Sequence, residues 1–265
     1  MNPTTSLMHS RVVAVRAAVA AAVFTLAMGA VGCSEKTEPG PDRGLDFYPV
    51  AVGRYWVYAV ADSSWSQANQ NQPTSTVTVA NFQFRETVTE VFSDAAGQPA
   101  YRLVRARRPT PTGVWTNDSV YTLSPSVHSV ILNRDNRRTL ELIFPVQDGK
   151  LWNFNAFNNN TNDTVTAETR RYRNVGQPFT TRTGSVSQTY SSTLTTTNEG
   201  TAKAEDLYYV RTYRQVFAKG IGPVLRQRRR FDNFYLPSGQ TVTFYPHAYF
   251  FGFSRTETLV EYGPR

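Results

Sequence analysis

The chain has 265 residues, of which 40% are hydrophobic, so it is long enough to bury a sizeable core. It contains a single cysteine, which excludes an intramolecular disulfide framework and leaves packing to stabilise the fold. The formal net charge is +8, and the basic residues are 24 arginines against 4 lysines, a composition suited to anionic partners.

The first 32 residues have the pattern of a signal peptide. Arg11 and Arg16 stand in a segment without acidic residues, and the fifteen residues Ala17–Val31 that follow carry no charge. A membrane-spanning helix needs about 20 apolar residues, so this segment is too short to be read as one. We therefore expect residues 1–32 to be removed, with cleavage between Gly32 and Cys33.

The cysteine lies in "AVGC", Ala30–Cys33, which resembles the lipobox of bacterial lipoproteins. The resemblance implies that the Cys33 sulfur, a strong nucleophile as a thiolate, takes a diacylglycerol and that the new amino group is acylated. Several acyl chains anchor a protein durably, whereas one chain does so only marginally. Ser34 lacks the aspartate that retains lipoproteins in the inner membrane, so the resemblance implies an outer-membrane location, on the periplasmic or surface face. The alternative is an ordinary secretory signal with an incidental cysteine.

Residues 33–46 are predicted to be the lipidated cysteine and a flexible linker. The segment Ser34–Asp46 contains two prolines, two glycines and one apolar residue, so it cannot bury enough surface to fold. No second change in composition follows, which predicts a single domain over residues 47–265.

That domain is predicted to be all-β and antiparallel, built as a strongly curved sheet, a sandwich or a barrel. Short runs rich in β-branched and aromatic residues alternate with turn signals such as "DAAGQ", "QDGK", "KGIGP" and "PSGQ", and long helical periodicity is absent. A short helix near Glu257–Tyr262 is an option. The predicted strands are "RYWVYAVA", "TVTVANFQFRETVTEVF", "AYRLVRARR", "VWTNDSVYTL", "SVILN", "TLELIF", "DTVTAETRRY", "QTYSSTLTTT", "DLYYVRTYRQVF", "VLRQRRRFDNFY" and "QTVTFYPHAYFF", with a further strand at Trp152.

Three segments resemble a family of Gram-negative envelope lipoproteins of unknown activity. They are "FYPVAVGRYWVY" (Phe47–Tyr58), "LELIFPVQDGKLWNFNAFN" (Leu140–Asn158) and "YRQVFAKGIGPVLRQ" (Tyr213–Gln227). The resemblance implies a lipid-anchored β domain and transfers no catalytic residues.

The sequence contains no recognisable catalytic or metal-binding motif. The predicted mature chain has two histidines, His128 and His247, and no G-x-S-x-G or H-E-x-x-H pattern. We expect the side chains of two carboxylate pairs, Glu86/Glu90 and Glu257/Glu261, to be exposed to solvent. We therefore expect no cofactor, no metal site and no enzymatic activity. The alternative is a glycan hydrolase of the envelope that uses paired carboxylates, which sequence alone does not exclude.

The arginine clusters are the candidate binding residues. In "LRQRRRF", Arg226, Arg228 and Arg230 fall on one face of a strand and form a candidate patch for an anionic ligand; the alternative is a solvated face. Because an exported protein rarely meets nucleic acid, anionic lipid, glycan or an envelope protein is the expected partner. The function expected is therefore that of a non-enzymatic binding or scaffold module of the outer membrane, anchored to the membrane through Cys33.

Overall fold

The computed structural model describes residues 42–158, 161, 166–199 and 207–264. The predicted signal peptide, including Gly32 and Cys33, lies outside the described residues. The described chain consists almost entirely of strands, apart from a short 3-10 helix at Leu45–Phe47. The twelve strands are β1 Tyr55–Trp65, β2 Val77–Ser93, β3 Pro99–Arg108, β4 Thr116–Pro125, β5 Ser129–Arg134, β6 Arg137–Ile143, β7 Leu151–Asn153, β8 Thr169–Thr183, β9 Val186–Glu199, β10 Tyr209–Ala218, β11 Gly222–Ser238 and β12 Thr241–Gly263.

All twelve strands form one antiparallel sheet that curls into a nearly closed barrel, which confirms the predicted fold class. The spatial order is β6-β5-β4-β3-β2-β1-β12-β11-β10-β9-β8-β7. The chain therefore starts in the middle of the sheet, winds outward to one edge, crosses to the other edge and winds back. As a result the first strand, β1, pairs with the last strand, β12, from Tyr55↔Gly263 to Trp65↔Gly252.

The two edge strands, β6 and β7, meet at a seam. The Leu140 amide donates to the Phe154 carbonyl at 2.9 Å, and Trp152 Nε1 donates to the Leu140 carbonyl at 2.9 Å. The hydroxyl of Tyr172 on β8 donates to the Ile143 carbonyl at 2.8 Å and accepts from the Ile143 amide at 2.7 Å. These bonds satisfy backbone groups that an open sheet edge would leave unpaired.

One end of the barrel is apolar and closed. Trp56 and Tyr58 share the inward face of β1, as the two-residue period predicts, and both are fully buried. The segment before β1 lies at this end: Tyr48 stacks on Trp56 at 6.0 Å, and the Gly220 amide donates to the Asp46 carbonyl. We call this the closed end.

The residues just before Phe47 also contact the barrel. Lys219 Nζ lies 2.5 Å from Asp42 Oδ2, and the Val146 amide donates to the Arg43 carbonyl. Asp42–Asp46, the last five residues of the predicted linker, are thus held against the barrel.

The structure corrects one detail of the strand assignment and supports two others. Residues 257–262 are not helical, because they belong to β12, where they pair with β1. The "KGIGP" segment is a turn between β10 and β11, as predicted, and Gly220 and Gly222 both have positive φ there. Trp152 lies in a strand, β7, as predicted. Among the residues that the structure describes, no helix is both long and apolar enough to span a membrane.

Candidate anion-binding site in the barrel mouth

A layer of paired charges crosses the middle of the barrel. Glu86 on β2 accepts hydrogen bonds from Arg105 on β3, at 2.5 and 3.1 Å, and from Arg226 on β11, at 2.9 and 3.1 Å. Arg226 also donates to Glu257 on β12 at 3.1 Å. Because neighbouring strands place these residues at the same level, two carboxylates and two guanidinium groups neutralise one another inside the barrel.

This layer overturns the expectation that these glutamates are solvated. Glu86 is only 1% exposed and Glu257 only 6%. Burial by itself would raise the pKa of Glu86, but the guanidinium groups of Arg226 and Arg105 outweigh it and hold that pKa well below its usual range. Glu86 is therefore ionised at neutral pH. Glu90, four residues away, is half exposed and pairs with Arg102 at the surface.

Beyond this layer, at the end opposite to the closed end, the inward-facing Arg107, Arg228 and Arg230 are exposed in the described part of the chain, and we call this end the mouth. Among the described residues, seven arginines and four carboxylates line it, so it carries an excess of positive charge. The arginines are Arg107, Arg134, Arg170, Arg211, Arg228, Arg230 and Arg255, and the carboxylates are Asp62, Glu141, Glu168 and Asp232.

Three of the four carboxylates are taken up in ion pairs. Arg255 binds Asp62 at 2.5 Å, and Arg170 binds Glu168 at 2.5 Å. Asp232 is shared by Arg211 and Arg230.

The fourth carboxylate, Glu141, is buried and accepts a hydrogen bond from the Thr139 hydroxyl at 2.8 Å. Arg107, Arg134 and Arg228 have no ion pair within the described part of the chain. The mouth therefore holds unneutralised guanidinium groups.

Aromatic rings hold several of these arginines in place. The Arg107 guanidinium lies 4.0 Å from the centre of the Phe82 ring, and that of Arg134 lies 4.3 Å from the centre of the Tyr121 ring. A ring face attracts a cation without neutralising its charge.

Arg170 is the most enclosed arginine of the mouth. Its guanidinium lies 4.1 Å from the Phe154 ring and 3.5 Å from the Tyr213 ring, and its side chain is 3% exposed. Nε and Nη1 of Arg170, and Nε of Arg134, are buried without a hydrogen-bond acceptor among the described residues. Buried donors of this kind are uncommon in folded proteins, since each costs free energy.

The structure places the predicted patch in two environments, the charged layer and the mouth. The patch consists of Arg226, Arg228 and Arg230. The three residues do share one face of β11, and that face points into the barrel. Arg226 belongs to the charged layer and Arg230 is 3.4 Å from Asp232, whereas Arg228 faces the mouth without a carboxylate partner among the described residues. Arg107, Arg134 and Arg170 belong to other arginine clusters of the sequence, and sequence reasoning did not single them out as part of the candidate patch. Their inward-facing strand positions were the signal that could have done so.

Other parts of the described chain bring together fewer charged or metal-binding side chains. A partly open depression of about 210 Å³ lies near the closed end, lined by residues 188–192, 218–219, 221 and 262. His128 precedes β5 and His247 lies in β12, at different ends of the barrel. Within residues 42–264, as far as they are described, no group of three or more histidine, cysteine, aspartate or glutamate side chains could hold a metal ion.

Comparison with known proteins adds little. No family model matches the chain, and no curated protein matches it. Among solved structures, the chain is similar to a candidate lipoprotein from Parabacteroides distasonis, at 9% identity and a TM-score of 0.35, over 82% of this chain and 98% of that one. The family resemblance drawn from the three sequence segments therefore stays a prediction.

Proposed function

We propose that this protein is a lipid-anchored, non-enzymatic binding protein of the cell envelope, located at the outer membrane, which holds an anionic ligand in the mouth of its barrel. The proposal rests on one observation: among the described residues, the guanidinium groups of Arg107, Arg134 and Arg228 in the mouth have no carboxylate partner. An anionic ligand would neutralise them, because guanidinium forks bind carboxylate and phosphate groups through paired hydrogen bonds.

The connectivity of the chain suits this arrangement. Cys33 precedes Asp42 by nine positions, and the described chain begins at the closed end of the barrel. A lipid on Cys33 would therefore be joined to the chain nine residues before the segment that contacts the closed end.

The anchor is tested by replacing Cys33 with serine, which cannot be lipidated at sulfur. We expect the unaltered protein in the membrane fraction at its processed mass, and the Cys33→Ser protein at the mass of the unprocessed precursor or in the soluble fraction. Cell fractionation followed by mass spectrometry measures both quantities. Recovery of Cys33→Ser protein from membranes at the normal processed mass would refute the lipid anchor.

The alternative function, an envelope glycan hydrolase with two carboxylates, rests on the convergence of Glu86 and Glu257 on Arg226. Such an enzyme needs one carboxyl group that is protonated at working pH, which requires a raised pKa. The pKa of Glu86 is instead lowered by Arg226 and Arg105 against the effect of burial. This pair therefore supports a structural role better than acid catalysis. Release of sugar from a glycan substrate that is abolished by Glu257→Gln would favour the hydrolase.

A further inference from the structure

We infer that the mouth recognises one oxyanion group, a phosphate or a carboxylate, on Arg228, with Arg134 and Arg170 as flanking cations. The inference rests on the proposed function only in placing the ligand in the mouth. It adds the chemical class of the ligand and the residue that binds it.

Arg228 combines three features expected of a ligand-binding arginine. It pairs with Arg255 across β12 and with Tyr213 across β10, so its side chain points into the mouth. It makes no ion pair with any described residue, and it reaches solvent. Burial lowers its pKa, whereas the neighbouring charges partly cancel one another: Glu168 and Tyr213 raise it, and Arg170 and Arg134 lower it by smaller amounts. Partial burial deprives the guanidinium of some of its hydration, and hydrogen bonds to an anion would replace it.

The flanking arginines supply donors that the protein itself leaves unused. Arg170 stacks on Tyr213, the cross-strand neighbour of Arg228, and two of its nitrogens lack an acceptor among the described residues. Its ion pair with Glu168 uses Nη2, a different nitrogen. Arg134 likewise has an unpartnered Nε.

The composition of the mouth selects the class of ligand. An oxyanion presents two or more acceptor oxygens in a plane or tetrahedron, which matches the guanidinium fork. A neutral ligand would leave the arginines unneutralised, and a cation would be repelled. Glu141 and Glu168 are the opposing charges at this site, and they are outnumbered by the arginines.

The test uses Arg228→Gln with Arg229→Gln as its matched control. The two residues are adjacent in β11, both are exposed, and both changes remove one positive charge, but Arg229 faces the outside of the barrel. Calorimetric titration of the purified full-length protein, at constant ionic strength, would use inorganic phosphate, glucuronate, neutral glucose and vesicles containing phosphatidic acid. We expect Arg228→Gln to weaken anion binding by about 10-fold or more, the value of one lost charge-assisted hydrogen bond, and Arg229→Gln to leave it within about 2-fold.

A second measurement separates binding from folding. Without ligand, Arg228→Gln should leave the thermal midpoint within about 2 °C of that of the unaltered protein, because Arg228 is exposed and loses no ion pair with any described residue. Binding of free phosphate or glucuronate that depends on Arg228 identifies a small anionic ligand, and Arg228-dependent binding confined to vesicles identifies a phosphate headgroup. Absence of anion binding, or equal loss in both variants, overturns the inference. Binding of glucose that is insensitive to Arg228→Gln overturns it too, while leaving a ligand site in the mouth.

Discussion

Replacing Glu86 with glutamine is expected to lower the free energy of unfolding by about 3 to 5 kcal/mol at pH 7, the usual cost of breaking a buried ion pair from one side. Glu86 is 1% exposed and accepts hydrogen bonds from both Arg105 and Arg226. Without it, Arg105 would be left as a buried cation, and Arg226 would keep Glu257 as its one acidic partner among the described residues. Denaturant unfolding, followed by tryptophan fluorescence, measures the change.

Glu90→Gln is the matched control, because it makes the same chemical change four residues along the same strand. Glu90 is half exposed, and its ion pair with Arg102, at 3.0 Å, lies at the surface. Exposed pairs contribute about 0 to 1 kcal/mol, so Glu90→Gln should have little effect. Equal destabilisation by the two variants would contradict the role assigned to the charged layer.

The pH dependence provides an independent check on Glu86. Its pKa in the folded protein lies below the usual value near 4.5, so its ion pairs stabilise the fold fully above that value. As the pH falls below about 4.5, the unfolded chain takes up the proton first, and the stabilisation declines towards the pKa of the folded state. The stability difference between the unaltered protein and Glu86→Gln should therefore shrink in acid. A difference that stays constant from pH 7 to about pH 3 would show that Glu86 contributes no linked proton.

The second large effect is expected at the seam, where Tyr172→Phe should cost about 2 to 4 kcal/mol. The Tyr172 hydroxyl satisfies both the amide and the carbonyl of Ile143, and phenylalanine would leave these two groups without that partner. Each buried polar group left unsatisfied costs about 1 to 3 kcal/mol. Hydrogen exchange at the Leu140 amide, which bonds across the seam to Phe154, would report whether the barrel opens more often there.

Tyr245→Phe serves as the control for loss of a tyrosine hydroxyl. Tyr245 packs in a smaller aromatic cluster with Phe234, away from the seam, and is partly exposed. We expect its loss to change stability by less than about 0.5 kcal/mol. If Tyr172→Phe were equally mild and Leu140 exchange unchanged, the hydroxyl would not be what holds the seam.

Local sequence patterns were sufficient to predict the strands but not their closure. The alternation around Trp56 and Tyr58, and the turn signals between runs, identified most elements because both depend on neighbouring residues. The seam between β6 and β7 depends on single side chains such as Tyr172. Sequence periodicity indicates which face of a strand a residue occupies, but not which distant residue its side chain binds. The helix considered at 257–262 was wrong because pairing with β1 decides the conformation of that segment.

The charged layer was beyond sequence reasoning for a similar reason. Glu86 and Arg226 are 140 residues apart and meet only because the barrel closes β2 and β11 around one interior. In isolation, a glutamate within a strand reads as a solvated position. The arginine triplet of β11 could be assigned to one face, but whether each member faces an acid was decided by the neighbouring strands.

The pairing of β1 with β12 has a consequence for how the chain is made. A polypeptide synthesised from its amino terminus completes the β1–β6 meander early, yet the partner on the other side of β1 is the final strand, Thr241–Gly263. Until residues 241–263 emerge, the centre of the future sheet is an unprotected edge that other chains could join. Premature termination anywhere before β12 would therefore yield an aggregation-prone product rather than a slightly shortened barrel.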